Sequence, residues 1–233
     1  MNACRSTGTW APVKWRAVIH ITDTLPSPTC IGANAHALAR YAALCQEQNL
    51  VPIVEPEVLM DGSHSIERCE EVSGAVPHAV FSALRNQQVW LERMQLKPNM
   101  VIAGKDWPHS ASVQEVAIAT LRRLRRHAPA AVSGIALLSG AQDDRAATVH
   151  LDAINRLPGT KPWKISFSCG RALQDHALET WQGRDENIAG ARRALHQRAR
   201  CNSAASLGKY IDEMEDTPVS VASPPHRRGW RDD

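Results

Sequence analysis

With 233 residues, 43% of them hydrophobic and 22% charged, the chain is long enough to bury the core of one large or two small domains and too mixed in composition for a low-complexity polypeptide. A formal charge of +3 falls short of what a dedicated nucleic-acid binder carries, and no apolar run approaches the roughly 18 residues a membrane-spanning helix needs, so neither nucleic acid nor a membrane is expected as a partner. The six cysteines, at 4, 30, 45, 69, 169 and 201, include no C-x-x-C pair, the N-terminus does not resemble a signal peptide, and the ten histidines show no H-E-x-x-H spacing; reduced thiols in a cytoplasmic protein without a metal are the expectation.

Residues 1–13 have no periodicity and read as a leader that Pro12 closes. From Lys14 the run K-W-R-A-V-I-H-I predicts a strand, the proline-bearing T-L-P-S-P-T a loop, and the spacing of Leu38, Tyr41, Ala42 and Cys45 a helix from about Asn34 to Gln48. L-V-P-I-V-E-P-E predicts a second strand from Leu50, followed by a turn at Asp61-Gly62 and a helix from about Ser65 to Asn86, in which Pro77 is expected to cause a kink or break.

A third strand is expected in M-Q-L-K-P-N-M-V-I-A-G, Met94 to Gly104. Ser112 and Glu115 then form a capping box that starts a helix from Val113 to about Arg126. The fourth unit is S-G-I-A-L-L-S, Gly140 and a helix from about Asp143 to Leu157; the fifth is W-K-I-S-F-S, Gly170 and a helix opening at Arg171. Polar helical sequence follows over about 185–203, and residues 212–233 read as a disordered tail. Strand and helix alternate five times, which argues for a parallel sheet, either open or closed into a barrel; a barrel needs eight such units.

Chemistry-bearing residues gather at the strand ends. Lysine is scarce, 6 against 21 arginines, and Lys97 stands in an apolar stretch with no acid inside it to pair with. Burial disfavours the charged form of a lysine and frees amine to attack a carbonyl. Because side chains two apart on a strand share a face, Lys14 is expected beside Arg16, Glu55 beside Glu57 and Lys97 beside Asn99. Paired carboxylates raise the pKa of one of them, which suits general acid/base work. L-S-G-A-Q and S-C-G-R each lead through serine or cysteine and glycine to a helix start, where exposed amides and Arg171 suit phosphate. The cluster L-R-R-L-R-R-H, 121–127, fits a solvated outer helix face better than a nucleic-acid patch.

The segments V-K-W-R, L-A-R-Y-A-A-L-C-Q, V-P-I-V-E-P-E-V-L, D-G-S-H, L-K-P-N-M-V, A-V-S-G-I-A-L-L-S-G, K-P-W, F-S-C-G-R-A-L-Q and N-S-A-A-S-L-G-K-Y together resemble class I fructose-bisphosphate aldolase, the metal-free Schiff-base family with a TIM (β/α)8 barrel. By that resemblance residues 14–211 form an incomplete α/β barrel of five strand–helix units, the fourth to eighth, with C-terminal helices, and the chain is truncated at its N-terminus. Lys97 is then the Schiff-base lysine, Glu55 the acid/base that dehydrates the carbinolamine, Glu57 a supporting carboxylate and Lys14 an aid to proton transfer. Arg16, Ser139, Gly140, Gly170 and Arg171 become ligands of a phosphorylated sugar. The implied reaction is reversible cleavage of fructose 1,6-bisphosphate to dihydroxyacetone phosphate and glyceraldehyde 3-phosphate in glycolysis and gluconeogenesis. No cofactor beyond the covalent Schiff base is implied, and the family's tetramer suggests a homo-oligomer.

Three departures accompany the resemblance. Ala141 stands where the family has a second glycine, Cys169 replaces a tyrosine, and the chain ends in Asp233 instead of tyrosine. With the first three strands missing, the resemblance leads to weak or absent activity of the isolated chain, the alternative being a non-catalytic remnant or interaction fragment.

Overall fold

A computed structural model of the protein describes residues 11–216, built on five parallel strands in the order of the chain. They are β1 (Pro12–Ile19), β2 (Val51–Val58), β3 (Gln95–Leu96), β4 (Ile135–Leu137) and β5 (Ile165–Phe167). Lys14 pairs with Ile53 and Arg16 with Glu55, Val54 with Leu96, Leu96 with Ile135, and Leu137 with Phe167. β1 and β5 are the two edges, so among the described residues the sheet does not close. Pro12 opens β1 instead of closing a leader, a place where its missing N–H is tolerated. Residues 1–10 of the expected leader lie outside the described residues.

Helices α1 (Pro28–Glu47), α2 (Ile66–Asn86), α3 (Val113–His127), α4 (Asp144–Arg156) and α5 (Arg171–Trp181) each follow a strand, and α6 (Ile188–Ala205) and α7 (Glu213–Asp216) are the last helices among the described residues. The core lies between sheet and helices: Ala17, Ile19, Val54, Leu96, Ile135 and Leu137 from the strands meet Leu38, Ala42, Val76, Leu84, Leu121 and Leu151 from the helices. The opposite face of the sheet carries the charged side chains of β1, β2 and the end of β3. Alternation along the strands thus puts apolar residues under the helices and the charged ones on the other side.

Several local expectations change. α1 begins six residues before Asn34, because Ser27 caps it, its side chain accepting from the Cys30 N–H at 3.1 Å, with Pro28 in the first helical position where a proline needs no donor. α2 runs unbroken through Pro77. A proline inside a helix costs on the order of 3 kcal/mol. Here Val72, Val76, Val80 and Leu84 are all buried along one face, at roughly 1.5 kcal/mol or more each, and outweigh it. Ser112 and Glu115 form the expected capping box at the start of α3.

β3 is shorter than its apolar run, for Pro98 has no N–H to continue the ladder. Bonding to its neighbours still extends past it: Lys97 N–H donates to Val54 O at 2.8 Å and Leu138 N–H to Pro98 O at 3.1 Å. The arginine cluster on α3 is not a solvated face throughout. Arg123 is 2% exposed and donates to Asn99 O, Arg122 forks onto both oxygens of Glu70, and Arg125 donates to Pro158 O and Thr160 O. These arginines bind α3 to its neighbours. At the C-terminus Glu215 in α7 is held by Arg198 and by the Tyr210 hydroxyl at 2.8 Å; residues 217–233 of the expected tail lie outside the described residues.

Candidate active site

Three strands supply one charged cluster. Glu55 on β2, 3% exposed, stands between two ammonium groups: Lys97 Nζ lies 3.0 Å from its Oε1 and Lys14 Nζ 2.9 Å from its Oε2. The second contact is ionic without an aligned hydrogen bond, since Oε2 accepts none. Arg16 pairs with Glu57 in the same diagonal sense across the β1–β2 ladder. Lys97 therefore does have an acidic partner, contributed by the next strand. Its side chain is 12% exposed, whereas Lys14 and Arg16 on the edge strand keep 44% of theirs in water.

The expected carboxylate pair is present, and Glu57 is the member held above the usual carboxylate range. Burial is the main cause; the Arg16 guanidinium pulls the other way and the charge of Glu55 adds to the rise. Three cations against two carboxylates leave the cluster with a surplus positive charge, which suits an anionic substrate. Asn99, expected beside Lys97, is used structurally instead: its amide donates to Ser73 Oγ on α2 at 3.0 Å and accepts from Val58 N–H at 3.2 Å.

The second part of the site lies where β4 and β5 pass into their helices. Ser139, 7% exposed, leads to Gly140 and Ala141, both in the left-handed region with φ of +60° and +63°. Ala141 thus adopts the backbone a glycine would, despite its Cβ. Next to it, Ser168 N–H donates to Leu137 O at 2.9 Å, which brings Cys169, Gly170 and Arg171 alongside. Burial raises the pKa of the Cys169 thiol, and the neighbouring Ser139 and the charge of Lys97 pull it partly back.

The two helix starts differ. Asp143 caps α4, accepting from Arg145 N–H and Ala146 N–H, while no side chain caps α5 at Gly170. The first amides of α5 and the exposed Arg171 are donors suited to an anion. Of the nine residues expected, Lys14, Arg16, Glu55 and Glu57 lie within β1 and β2, Lys97 directly follows β3, Ser139 and Gly140 lie in the turn after β4, and Gly170 and Arg171 stand where the turn after β5 enters α5. Sequence reasoning missed Gln142, which donates its side-chain amide to Ser139 O at 2.7 Å; a polar residue directly after a Ser-Gly turn was the available signal. Among the described residues no group of three or more His, Cys, Asp or Glu side chains is placed to hold a metal ion.

A family model for fructose-bisphosphate aldolase class-I matches residues 6–223. Fructose-bisphosphate aldolase B of Gallus gallus is 50% identical over 210 residues, covering 90% of this chain and 58% of that protein. A fructose-bisphosphate aldolase of Dictyostelium discoideum is 50% identical over 202 residues, 86% of this chain and 56% of its own length. The solved structure of fructose-bisphosphate aldolase from Plasmodium falciparum, in complex with TRAP and a small-molecule inhibitor, superposes with a TM-score of 0.83 at 49% identity over 85% of this chain and 57% of that one. The chain spans somewhat under three fifths of the length of these relatives, and its five parallel strands and alternating helices are an incomplete TIM-barrel fold. At this identity and coverage, the chain belongs to the class I fructose-bisphosphate aldolase family.

Proposed function

We propose that this chain carries the Schiff-base site of an aldolase acting on fructose 1,6-bisphosphate, with Lys97 as the nucleophile. The observation that supports this most directly is Glu55 held between Lys97 and Lys14 on three adjacent strands. In this reading Lys97 Nζ, as the free amine, attacks the ketose carbonyl to give a carbinolamine. Glu55 donates the proton with which its hydroxyl leaves as water, and an iminium remains. The bond between the third and fourth carbons then breaks; its electron pair flows into the iminium to form an enamine, and the proton of the fourth-carbon hydroxyl departs with help from Lys14, releasing glyceraldehyde 3-phosphate. Protonation of the enamine and hydrolysis of the iminium return dihydroxyacetone phosphate and free Lys97.

Glu57, with its raised pKa and its contact to Arg16, supports the acid/base pair, and Arg16 stands ready to release to a substrate phosphate. Ser139, Gly140, Gly170 and Arg171 hold the other phosphate. A place in glycolysis and gluconeogenesis in the cytoplasm belongs to the same reading, as does self-association, for which the exposed Leu44 and Trp90 provide apolar surface. Activity of this chain alone is reduced, because the edge position of β1 leaves Lys14 and Arg16 open to water that weakens their electrostatic action.

Borohydride reduction in the presence of dihydroxyacetone phosphate, followed by mass mapping, tests the reading. A reduced adduct on Lys97 of the folded protein is expected. Its absence, or an adduct on another lysine, overturns the assignment.

A further inference from the structure

The turn after β4 holds a conformation that its own sequence resists. Ala141 at φ +63° carries a Cβ where the backbone favours glycine, and such a turn persists only if its surroundings restrain it. The restraint comes from two side chains with no contact to Lys97 or its carboxylates. Gln142 delivers two donors to one carbonyl: its backbone N–H reaches Ser139 O at 3.1 Å and its side-chain Nε2 reaches the same oxygen at 2.7 Å, while Nε2 also donates to Met100 Sδ at 3.6 Å. Since Nε2 is committed to an acceptor, Oε1 faces the other way and must accept. It meets His150 Nδ1 at 2.6 Å, which makes the imidazole the donor and fixes the Nδ1–H tautomer. His150 sits on α4, and α4 is anchored in turn by Thr148 Oγ1 donating to Asn202 Oδ1 on α6 at 2.8 Å.

The consequence falls on the Ser139–Gly140 peptide. A trans peptide points its C=O and its N–H in opposite directions. With the Ser139 carbonyl tied to Gln142, the Gly140 N–H is directed away from Gln142. The relay His150–Gln142–Ser139 O thus sets the orientation of the amide that a phosphate oxygen would meet.

We propose that Gln142 and His150 are positioning residues that pre-orient the Ser139–Gly140–Ala141 turn for the phosphate of the substrate. The inference rests on the assignment of Lys97 and of this turn to one substrate site. Burial keeps the His150 imidazole neutral, its pKa brought down to about 4, so it donates a single directed hydrogen bond without adding charge.

The test compares two ketones in borohydride trapping on Lys97: dihydroxyacetone phosphate, and dihydroxyacetone, which lacks the phosphate. In the H150L variant the concentration of dihydroxyacetone phosphate for half-maximal trapping should rise about tenfold, the loss of one hydrogen bond's worth of pre-orientation, while that for dihydroxyacetone stays within about twofold. H150N, whose amide can still donate to Gln142, should recover most of the difference. Q142A should behave as H150L. Equal weakening of both ketones in H150L, or no change in either, overturns the proposal and leaves Lys97 as the nucleophile. If the parent chain traps neither ketone, the assignment of Lys97 falls and takes the proposal with it; if it traps both at the same concentration, the phosphate turn is wrongly assigned and the proposal fails for that reason.

Discussion

Lys97 and Glu55 neutralise one another across the β2–β3 boundary at 3.0 Å, in surroundings where neither is well hydrated. Removing one partner of such a pair leaves the other charge without compensation. The E55A substitution should therefore lower unfolding stability by about 3 kcal/mol, whereas K14A, which removes an ammonium with 44% of its side chain in water, should cost under about 1 kcal/mol. Urea unfolding with an unchanged denaturant slope measures both. Equal losses in the two variants would show that Lys14, not Lys97, is the partner on which Glu55 depends.

Gly104 makes the segment after Lys97 dock against the loop after β2. Its N–H donates to His64 O at 2.8 Å, and a Cβ at this position would come within 2.1 Å of Gly62 O and 2.8 Å of Gly62 C, backbone atoms that cannot step aside. G104A should cost about 3 kcal/mol or more and give poorly folded protein. Gly74 presents the useful contrast. A Cβ there meets only the ring of His127, at 2.9 Å, and a side chain can rotate away. G74A should cost well under half as much, since a helix interior also favours alanine over glycine by about 1 kcal/mol. Thermal unfolding of the pair checks the ordering, and the reverse order would mean that the loop around Gly62 is free to shift.

What the sequence made legible was whatever depends on local period and on punctuation. Strand–helix alternation and the Ser112–Glu115 capping box are visible that way, whereas the roles of the nine candidate site residues follow from the family resemblance. The start of α1 was missed because Pro28 reads as loop punctuation until Ser27 is recognised as a cap that turns it into a first helical residue. Pro77 misled for a different reason: the cost of a helical proline is local, but the burial that outweighs it comes from residues far away in the chain. Register is likewise non-local, which is why the acid facing Lys97 was not found within its own stretch. Arg123 lies on the buried face of α3, three residues after Thr120 and seven after Val116, but an arginine is not expected there until Asn99 O, distant in the chain, is placed to accept from it. The period-two placement of Asn99 failed one residue after Pro98 ended the strand.

The histidines predict how stability responds to acid. Burial lowers the pKa of His64, His127 and His150, the last to about 4 against 6.5 in the unfolded chain. Between those values the unfolded chain binds a proton that the folded one refuses. The stabilisation is therefore complete above pH 6.5 and is lost as pH falls toward 4, with His150 accounting for no more than about 3 kcal/mol. The raised carboxyls of Glu57 and Asp152 act in the opposite sense once they protonate in the folded state, so the decline is partly offset at its lower end. H150N should flatten the pH 6.5 to 4 limb of the stability profile relative to the parent. Superimposable profiles would mean that His150 titrates alike in both states.

Ala141 offers the simplest way to separate backbone strain from contact. The left-handed conformation costs an L-residue roughly 1–2 kcal/mol, part of which a glycine would give back through the larger entropy of its unfolded state. A141G should accordingly raise stability by about 0.5–1 kcal/mol. The turn would keep its shape, because Gln142 N–H and Nε2 bond to Ser139 O and neither involves the Cβ of residue 141. The relaxed turn should also depend less on its restraints: the weakening of phosphate-bearing ketone trapping caused by H150L should be smaller in the A141G background than in the parent. A double-mutant cycle on trapping and on urea unfolding measures both effects. Strict additivity of A141G and H150L in trapping would mean that the strain at Ala141 and the relay through Gln142 act on different features of the turn.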